Sequence, residues 1–188
     1  MLNLILTLFS LSLLTASAKL EQIVLPINND NKQVSFTLYH FDNSKQSTLI
    51  EVKKNIDHSV TSSNADAAVS ANNPHLTFKS GKLVFDSSTT YFIQDKKLTS
   101  PIKSASKHKH TFILTNKTSQ HAIGYAPNIS EEELAFALKQ YMSDNKAPLT
   151  SAITLDSGNQ CGFYKRNGEY NPYYLKELKK PAKALIIK

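Results

Sequence analysis

The chain has 188 residues, a formal net charge of +7 at neutral pH and one cysteine, Cys161, which excludes an intrachain disulfide. Its length suits one domain with a hydrophobic core, and no internal repeat or low-complexity linker divides it. The basic charge favours anionic partners. Because no nucleic-acid recognition motif is present, we expect no nucleic-acid partner.

The first 18 residues predict a secretory signal peptide. They carry no charge, an apolar run extends from Leu4 to Leu14, and Ala16-Ser17-Ala18 has the small-x-small form of a cleavage site. The alternative is an uncleaved anchor, but the run is short for a bilayer span. We therefore expect residues 19–188 to be one secreted or periplasmic domain, with no stable membrane insertion after cleavage.

The region before Ser130 is predicted to consist mostly of strands. Residues 34–41 alternate apolar and polar side chains, which is typical of a half-buried strand. Residues 64–69 allow one or two helical turns. Shorter strand candidates follow at 76–78, 82–85, 90–93 and 111–115.

A helix and a buried strand are predicted after residue 129. Ser130 and Glu133 have the spacing of a capping box, and apolar residues follow at helical spacing up to Met142. Residues 152–155 form a short, mostly apolar run that ends in the turn-forming residues 156–159. Many strands with one clear late helix predict an α+β fold: a single domain with a mixed, largely antiparallel β-sheet and packed helices.

Asp156 is the candidate functional carboxylate. It follows a buried strand directly and lies beside a flexible turn, which is a common position for a functional acid. The alternative, an Asp that only hydrogen-bonds its own turn, is the more common outcome of such spacing.

The order of these features resembles the phosphodiester glycosidase domain, the catalytic domain type of the mannose-6-phosphate uncovering enzyme and its bacterial relatives. The resemblance extends from Phe36 to the C-terminus. It is carried, in chain order, by the small-residue turn 70–73, the hairpin 81–84, the His-rich strand 108–114, the helix from 130, the turn 152–158, and Asn167-Gly168. It implies a secreted hydrolase that acts on a phosphorylated sugar or another anionic glycan.

The family motifs are an Asn-Gly-Gly turn, an Arg-Thr pair and a Leu-Asp-Gly-Gly turn. Cleavage at the anomeric carbon needs a nearby carboxylate and cations or donors on the phosphate. The catalytic residues that the resemblance implies are Asp156, His110 and Asn72. The substrate-binding residues that it implies are Thr111, Lys109, Ser157, Gly158 and His75. No metal ligand is assigned, and a cofactor is left open.

The sequence departs from these motifs at three places. Asn73 and Pro74 replace the two glycines of the first turn, and proline cannot adopt their positive φ. His110 replaces the arginine, so a fork-shaped donor becomes a pH-dependent one. Ser157 replaces the first glycine of the last turn. The replacements at Asn73, Pro74 and Ser157 favour a second hypothesis, a binding module for anionic glycans with a decayed site.

A third hypothesis is a thiol hydrolase built on Cys161 with an upstream histidine. Cysteine is, however, among the residues most often buried without a chemical role. We therefore rank the phosphodiester glycosidase-like hydrolase first, the binding module second and the thiol hydrolase third.

Overall fold

The computed structural model describes residues 19–27, 32–42, 50–54, 65–72, 76–79, 82–85, 91–99, 106–116, 120–144, 149–159, 161–166, 173–175 and 183–188. Within these ranges most residues form strands, and the one helix, α1, covers Glu131–Asp144. The expected α+β domain with packed helices is therefore wrong. The domain is mostly β-sheet, and one sheet curls into a half-barrel.

The strands, numbered along the chain, are β1 (Lys19–Ile27), β2 (Lys32–Asp42), β3 (Ile50–Lys54), β4 (Ala67–Ser70), β5 (Leu76–Lys79), β6 (Lys82–Phe85), β7 (Tyr91–Gln94), β8 (Lys97–Leu98), β9 (His108–Thr115), β10 (Gln120–Ile129), β11 (Ser151–Ser157), β12 (Phe163–Lys165), β13 (Tyr173–Leu175) and β14 (Lys183–Ile187). The larger sheet has the order β1-β2-β10-β9-β11-β7-β8, and the smaller sheet has the order β13-β12-β4-β14-β3. β5 and β6 form a separate hairpin. The described strand pairs are antiparallel.

Two hydrophobic cores lie on the two faces of the larger sheet. Successive side chains of a strand point to opposite faces, so Phe112 and Leu114 of β9 pack with α1 while Ile113 packs against the smaller sheet. From the smaller sheet, Val69 and Leu185 complete the second core. The domain is thus layered as a helix, a seven-stranded sheet and a five-stranded sheet.

The capping box predicted at the start of α1 is confirmed. The Ser130 backbone N–H donates to Glu133 Oε2 at 3.1 Å, and the Glu133 N–H donates to Ser130 Oγ at 3.2 Å. These two bonds satisfy backbone donors that the first turn of a helix otherwise leaves without partners. Apolar residues of α1, among them Leu134, Leu138 and Met142, are buried against the larger sheet.

The helical turns expected within residues 64–69 are not found where the structure describes this segment. Residues 67–70 form β4, and all four are buried between neighbouring strands and layers. Small side chains give weak local preference, and burial among β12, β14 and the larger sheet decides the outcome here. The helices of the described part include none with the length and apolar character of a membrane span.

Candidate active site

Asn72 and Asp156 meet where the two sheets lie against each other. Asn72 follows β4 in the smaller sheet, and Asp156 lies near the end of β11 in the larger one. Asn72 Nδ2 donates to Asp156 Oδ2 at 2.7 Å. The Lys183 backbone N–H donates to Asn72 Oδ1 at 3.2 Å, which fixes the orientation of the amide. The structure therefore joins residues 84 positions apart in one polar contact.

A β-bulge in β11 aims the Asp156 carboxylate at this contact. Thr154 lies opposite Phe112, and Asp156 lies opposite Thr111, so Leu155 is one extra residue in β11. Bulges of this kind redirect side chains and are frequent next to active sites. With uninterrupted alternation, Asp156 would pair with His110 and face α1. With the bulge, it shares the side of Thr111 and faces the smaller sheet.

The Asp156 carboxylate is half-buried and well supplied with donors. The Ser157 N–H donates to Asp156 Oδ1 at 2.8 Å. Burial raises the pKa of Asp156, and hydrogen bonds from the Ser157 amide, the Ser70 hydroxyl and the Asn72 amide partly offset this rise. The balance is a raised pKa, so this acid takes up a proton more readily than an ordinary Asp. Such opposed effects on a carboxyl group are typical of functional sites.

A buried polar layer supports the carboxylate. Ser70 and Thr111 are fully buried, and their hydroxyl oxygens are 3.3 Å apart. Cys161 is also fully buried, and burial together with the Asp156 charge raises the pKa of its thiol to about 12. A neutral, inaccessible thiol is a poor nucleophile. The structure therefore gives no support to the thiol-hydrolase hypothesis.

His110 lies on the opposite face of β9 from Thr111, and the structure does not bring it to Asp156. Its Nε2 hydrogen-bonds the Ile129 carbonyl at 3.1 Å, just before α1. Burial lowers the pKa of His110, and the Ile129 contact and the Glu131 charge raise it in part. The imidazole is thus a buried, mostly neutral group beneath the start of α1.

The other predicted substrate-binding groups differ in what they offer a ligand. The Thr111 hydroxyl donates to the Ser70 carbonyl at 2.8 Å and lies below the surface. The Gly158 N–H donates to the Lys109 carbonyl at 2.9 Å, and the Ser157 N–H already binds Asp156. Both backbone amides expected to bind phosphate are therefore engaged within the protein.

Lys109 and the turn at Gly158 remain available for contact with a ligand. Lys109 is half-buried and lies two residues before Thr111, so it leaves β9 on the same face. Gly158 has φ +104°, and within the described structure a Cβ placed there would meet no atom within 4 Å. His75, like Asn73 and Pro74, lies outside the described residues.

Two residues of this site were not nominated from the sequence. Ser70 is a buried serine whose hydroxyl lies 3.3 Å from Thr111 Oγ1, and Lys183 binds Asn72 through its backbone. Ser70 lies in the small-residue turn that carried the family resemblance, but no pattern marked its hydroxyl. Among the described residues, no group of three His, Cys, Asp or Glu side chains is placed to hold a metal ion.

Comparison with known proteins supports the fold. No protein-family model matches the chain, and no curated protein matches it. Among solved structures, the chain is similar to the catalytic domain of zebrafish N-acetylglucosamine-1-phosphodiester alpha-N-acetylglucosaminidase, auto-inhibited by its pro-peptide. The TM-score is 0.56 and the identity is 10%, over 91% of this chain and 82% of that chain. The chain has a phosphodiester glycosidase-like fold.

Proposed function

We propose that this protein is a secreted or periplasmic hydrolase that cleaves a sugar-1-phosphodiester, with Asp156 as its catalytic carboxylate. The observation that carries the proposal is the 2.7 Å hydrogen bond from Asn72 to Asp156 across the two sheets. It occurs in a fold shared with a phosphodiester glycosidase domain. The two residues are also positions that match that family's Asn-Gly-Gly and Leu-Asp-Gly-Gly motifs.

The chemistry of the bond between sugar and phosphate explains why one carboxylate is sufficient for its cleavage. Cleavage between the anomeric carbon and the phosphate oxygen leaves positive charge on the sugar ring, which the Asp156 carboxylate stabilises or captures. The bonding electron pair leaves with the phosphate oxygen, which is already a stable anion and needs no general acid. Water then supplies the oxygen of the sugar hydroxyl and the proton that is released.

The surroundings of Asp156 agree with an anionic substrate. Asn72 holds the carboxylate in one orientation, and its own amide is fixed by Lys183. Lys109 extends from the same face of β9 as Thr111, and the whole chain is basic. Positive charge near a site raises the local concentration of anions and the rate of their association. His110 is outside this proposal because its ring faces α1.

A second function, glycan binding without turnover, is favoured by one specific observation. The Ser157 and Gly158 amides are both engaged within the protein, so two donors expected on the phosphate are not presented to a ligand. A site that retains the carboxylate and lacks these donors binds the sugar and has weaker means to stabilise the departing phosphate.

The test is release of free sugar from N-acetylglucosamine-1-phosphodiesters and other sugar-1-phosphodiesters by the purified protein. Asp156→Asn is expected to reduce turnover by about 10³-fold, because the amide carries no charge for the developing cation. Asp144→Asn, at the exposed end of α1, is the matched control and should retain wild-type turnover. Full activity of Asp156→Asn would refute this mechanism. Sugar binding by the wild type without any release would favour the binding module.

A further inference from the structure

A half-buried lysine, Lys183, begins β14 beside the contact between Asn72 and Asp156. Its main chain is fixed on both sides. The Lys183 N–H donates to Asn72 Oδ1 at 3.2 Å, and the Lys183 carbonyl accepts from the Ala71 N–H at 3.0 Å. Two residues further along β14, Leu185 packs in the core between the two sheets. Because side chains alternate along a strand, the Lys183 side chain leaves the smaller sheet on the side of the larger one.

Lys109 approaches the same contact from the larger sheet. Its carbonyl accepts from the N–H of Gly158, two residues after Asp156, at 2.9 Å. Lys109 shares a face of β9 with Ile113, which packs against the smaller sheet. Each lysine is thus fixed through its main chain beside one member of the pair Asn72 and Asp156, and the two side chains come from opposite sheets.

Neither lysine side chain has a hydrogen bond or an ion pair within the described ranges. The Asp156 carboxylate instead takes neutral donors, the Asn72 amide at 2.7 Å and the Ser157 N–H at 2.8 Å. The carboxylate therefore keeps its negative charge for the sugar ring, and the two ammonium groups keep their positive charges for an anion.

The register of the smaller sheet adds a second sign of an anion site. Lys183 lies directly opposite Lys54 of β3. Like charges at directly opposite positions destabilise an antiparallel strand pair. An anion bound at this end of the sheet offsets that repulsion, so the two opposed lysines are compatible with a binding role for Lys183.

We propose that Lys183, together with Lys109, binds the phosphate group of the substrate as a pair of cations, one from each sheet. The Ser157 and Gly158 amides are engaged within the protein, so these ammonium groups replace them as phosphate donors. Lysine acts as a point charge, so the pair selects sugar phosphates over neutral glycosides. This inference rests on the proposed function for the identity of the substrate, but anion binding can be measured without turnover.

The first test is calorimetric titration at low salt with inorganic phosphate and with N-acetylglucosamine-1-phosphate. Lys183→Met removes the charge and keeps both the unbranched stem and the N–H that binds Asn72. The dissociation constants of both anions should rise about tenfold, because a hydrogen bond to a charged group is lost. Lys109→Met should have a similar effect. Lys183→Arg keeps a cation and should bind within about threefold of the wild type.

Two controls separate anion binding from other roles of Lys183. Lys139→Met removes the same charge from the exposed side of α1 and should bind both anions as the wild type does. The free energy of unfolding of Lys183→Met should not fall, because the stem is retained and the repulsion from Lys54 is relieved. A purely structural lysine would give the opposite result, with lower stability and unchanged anion binding. If Lys183→Met does not fold, Lys183→Gln takes its place.

Turnover gives an independent readout. In Lys183→Met, kcat/KM for a sugar-1-phosphodiester should fall about tenfold or more. Anion binding that is equal in the wild type and Lys183→Met, or that falls as much in Lys139→Met, would overturn the role of Lys183. A wild type that binds both anions through Lys183 and releases no sugar would instead count against the proposed hydrolase alone.

Discussion

Replacing His121 by glutamine is expected to flatten the pH dependence of stability on the acidic side of neutrality. His121 lies in β10 with 7% of its surface exposed, and its ring packs against Phe41 with centroids 5.4 Å apart. Within the described structure, its Nδ1 has no hydrogen-bond partner. Burial lowers the pKa of His121 from 6.5 to about 4, although the nearby Asp42 charge acts in the opposite direction.

The sign and size of the effect follow from this shift. Between pH 6.5 and about 4, His121 is protonated in the unfolded chain and neutral in the folded protein. The free energy of unfolding therefore falls as the pH falls through this window, with a slope of about 1.4 kcal/mol per pH unit for one proton. Over the whole window the free energy of unfolding falls by about 3 kcal/mol, and this loss is complete near pH 4.

The assay is chemical denaturation of the wild type and His121→Gln at a series of pH values. Glutamine cannot titrate there, so the difference in unfolding free energy between the two proteins should change by about 3 kcal/mol across the window. Only the change of this difference with pH tests the prediction, because His121→Gln loses the same packing on Phe41 at every pH. His108→Gln removes an exposed imidazole from the same sheet and serves as control. Parallel curves for the wild type and His121→Gln would show that residue 121 is not held neutral.

Two further predictions concern the backbone. Gly124→Ala should destabilise the protein by about 2–3 kcal/mol, because the added Cβ would lie 2.2 Å from Cε2 of Phe112, a fully buried ring. Denaturant unfolding measures the loss, and a companion Phe112→Leu change should recover part of it; wild-type stability of Gly124→Ala would contradict the packing described. Lys96→Gly should stabilise by about 0.5–1 kcal/mol, because Lys96 has φ +64° in the two-residue turn between β7 and β8. A lower thermal midpoint in this variant would show that the turn carries no such strain.

Local patterns predicted the elements that depend on neighbours in sequence. The spacing of Ser130 and Glu133 predicted the start of α1, and the apolar run 152–155 predicted the strand that became β11. The family resemblance predicted the fold that the structural comparison supports, although the mostly β architecture was not recognised. Capping and alternation are short-range effects, so a single sequence contains enough information for them.

The candidate site depended on information that local patterns do not contain. Strand alternation alone excludes a site that uses the side chains of both His110 and Thr111, and the structure places the imidazole under α1. The contact of Asn72 with Asp156 requires a bulge and the packing of two sheets. Neither the extra residue in β11 nor the buried hydroxyl of Ser70 leaves a signal in residue type or spacing.

The bulge in β11 makes the location of the carboxylate a matter of pairing register. Uninterrupted pairing, with Leu155 opposite Thr111, would place Asp156 opposite His110 and turn it towards α1, away from Asn72, although every residue of the site would still be present. Searches that score residue types would treat such a chain as intact. When this protein is aligned without a gap to remote relatives, an acid matched to Asp156 therefore lies on the same side of the sheet only if the relative's strand has the bulge as well.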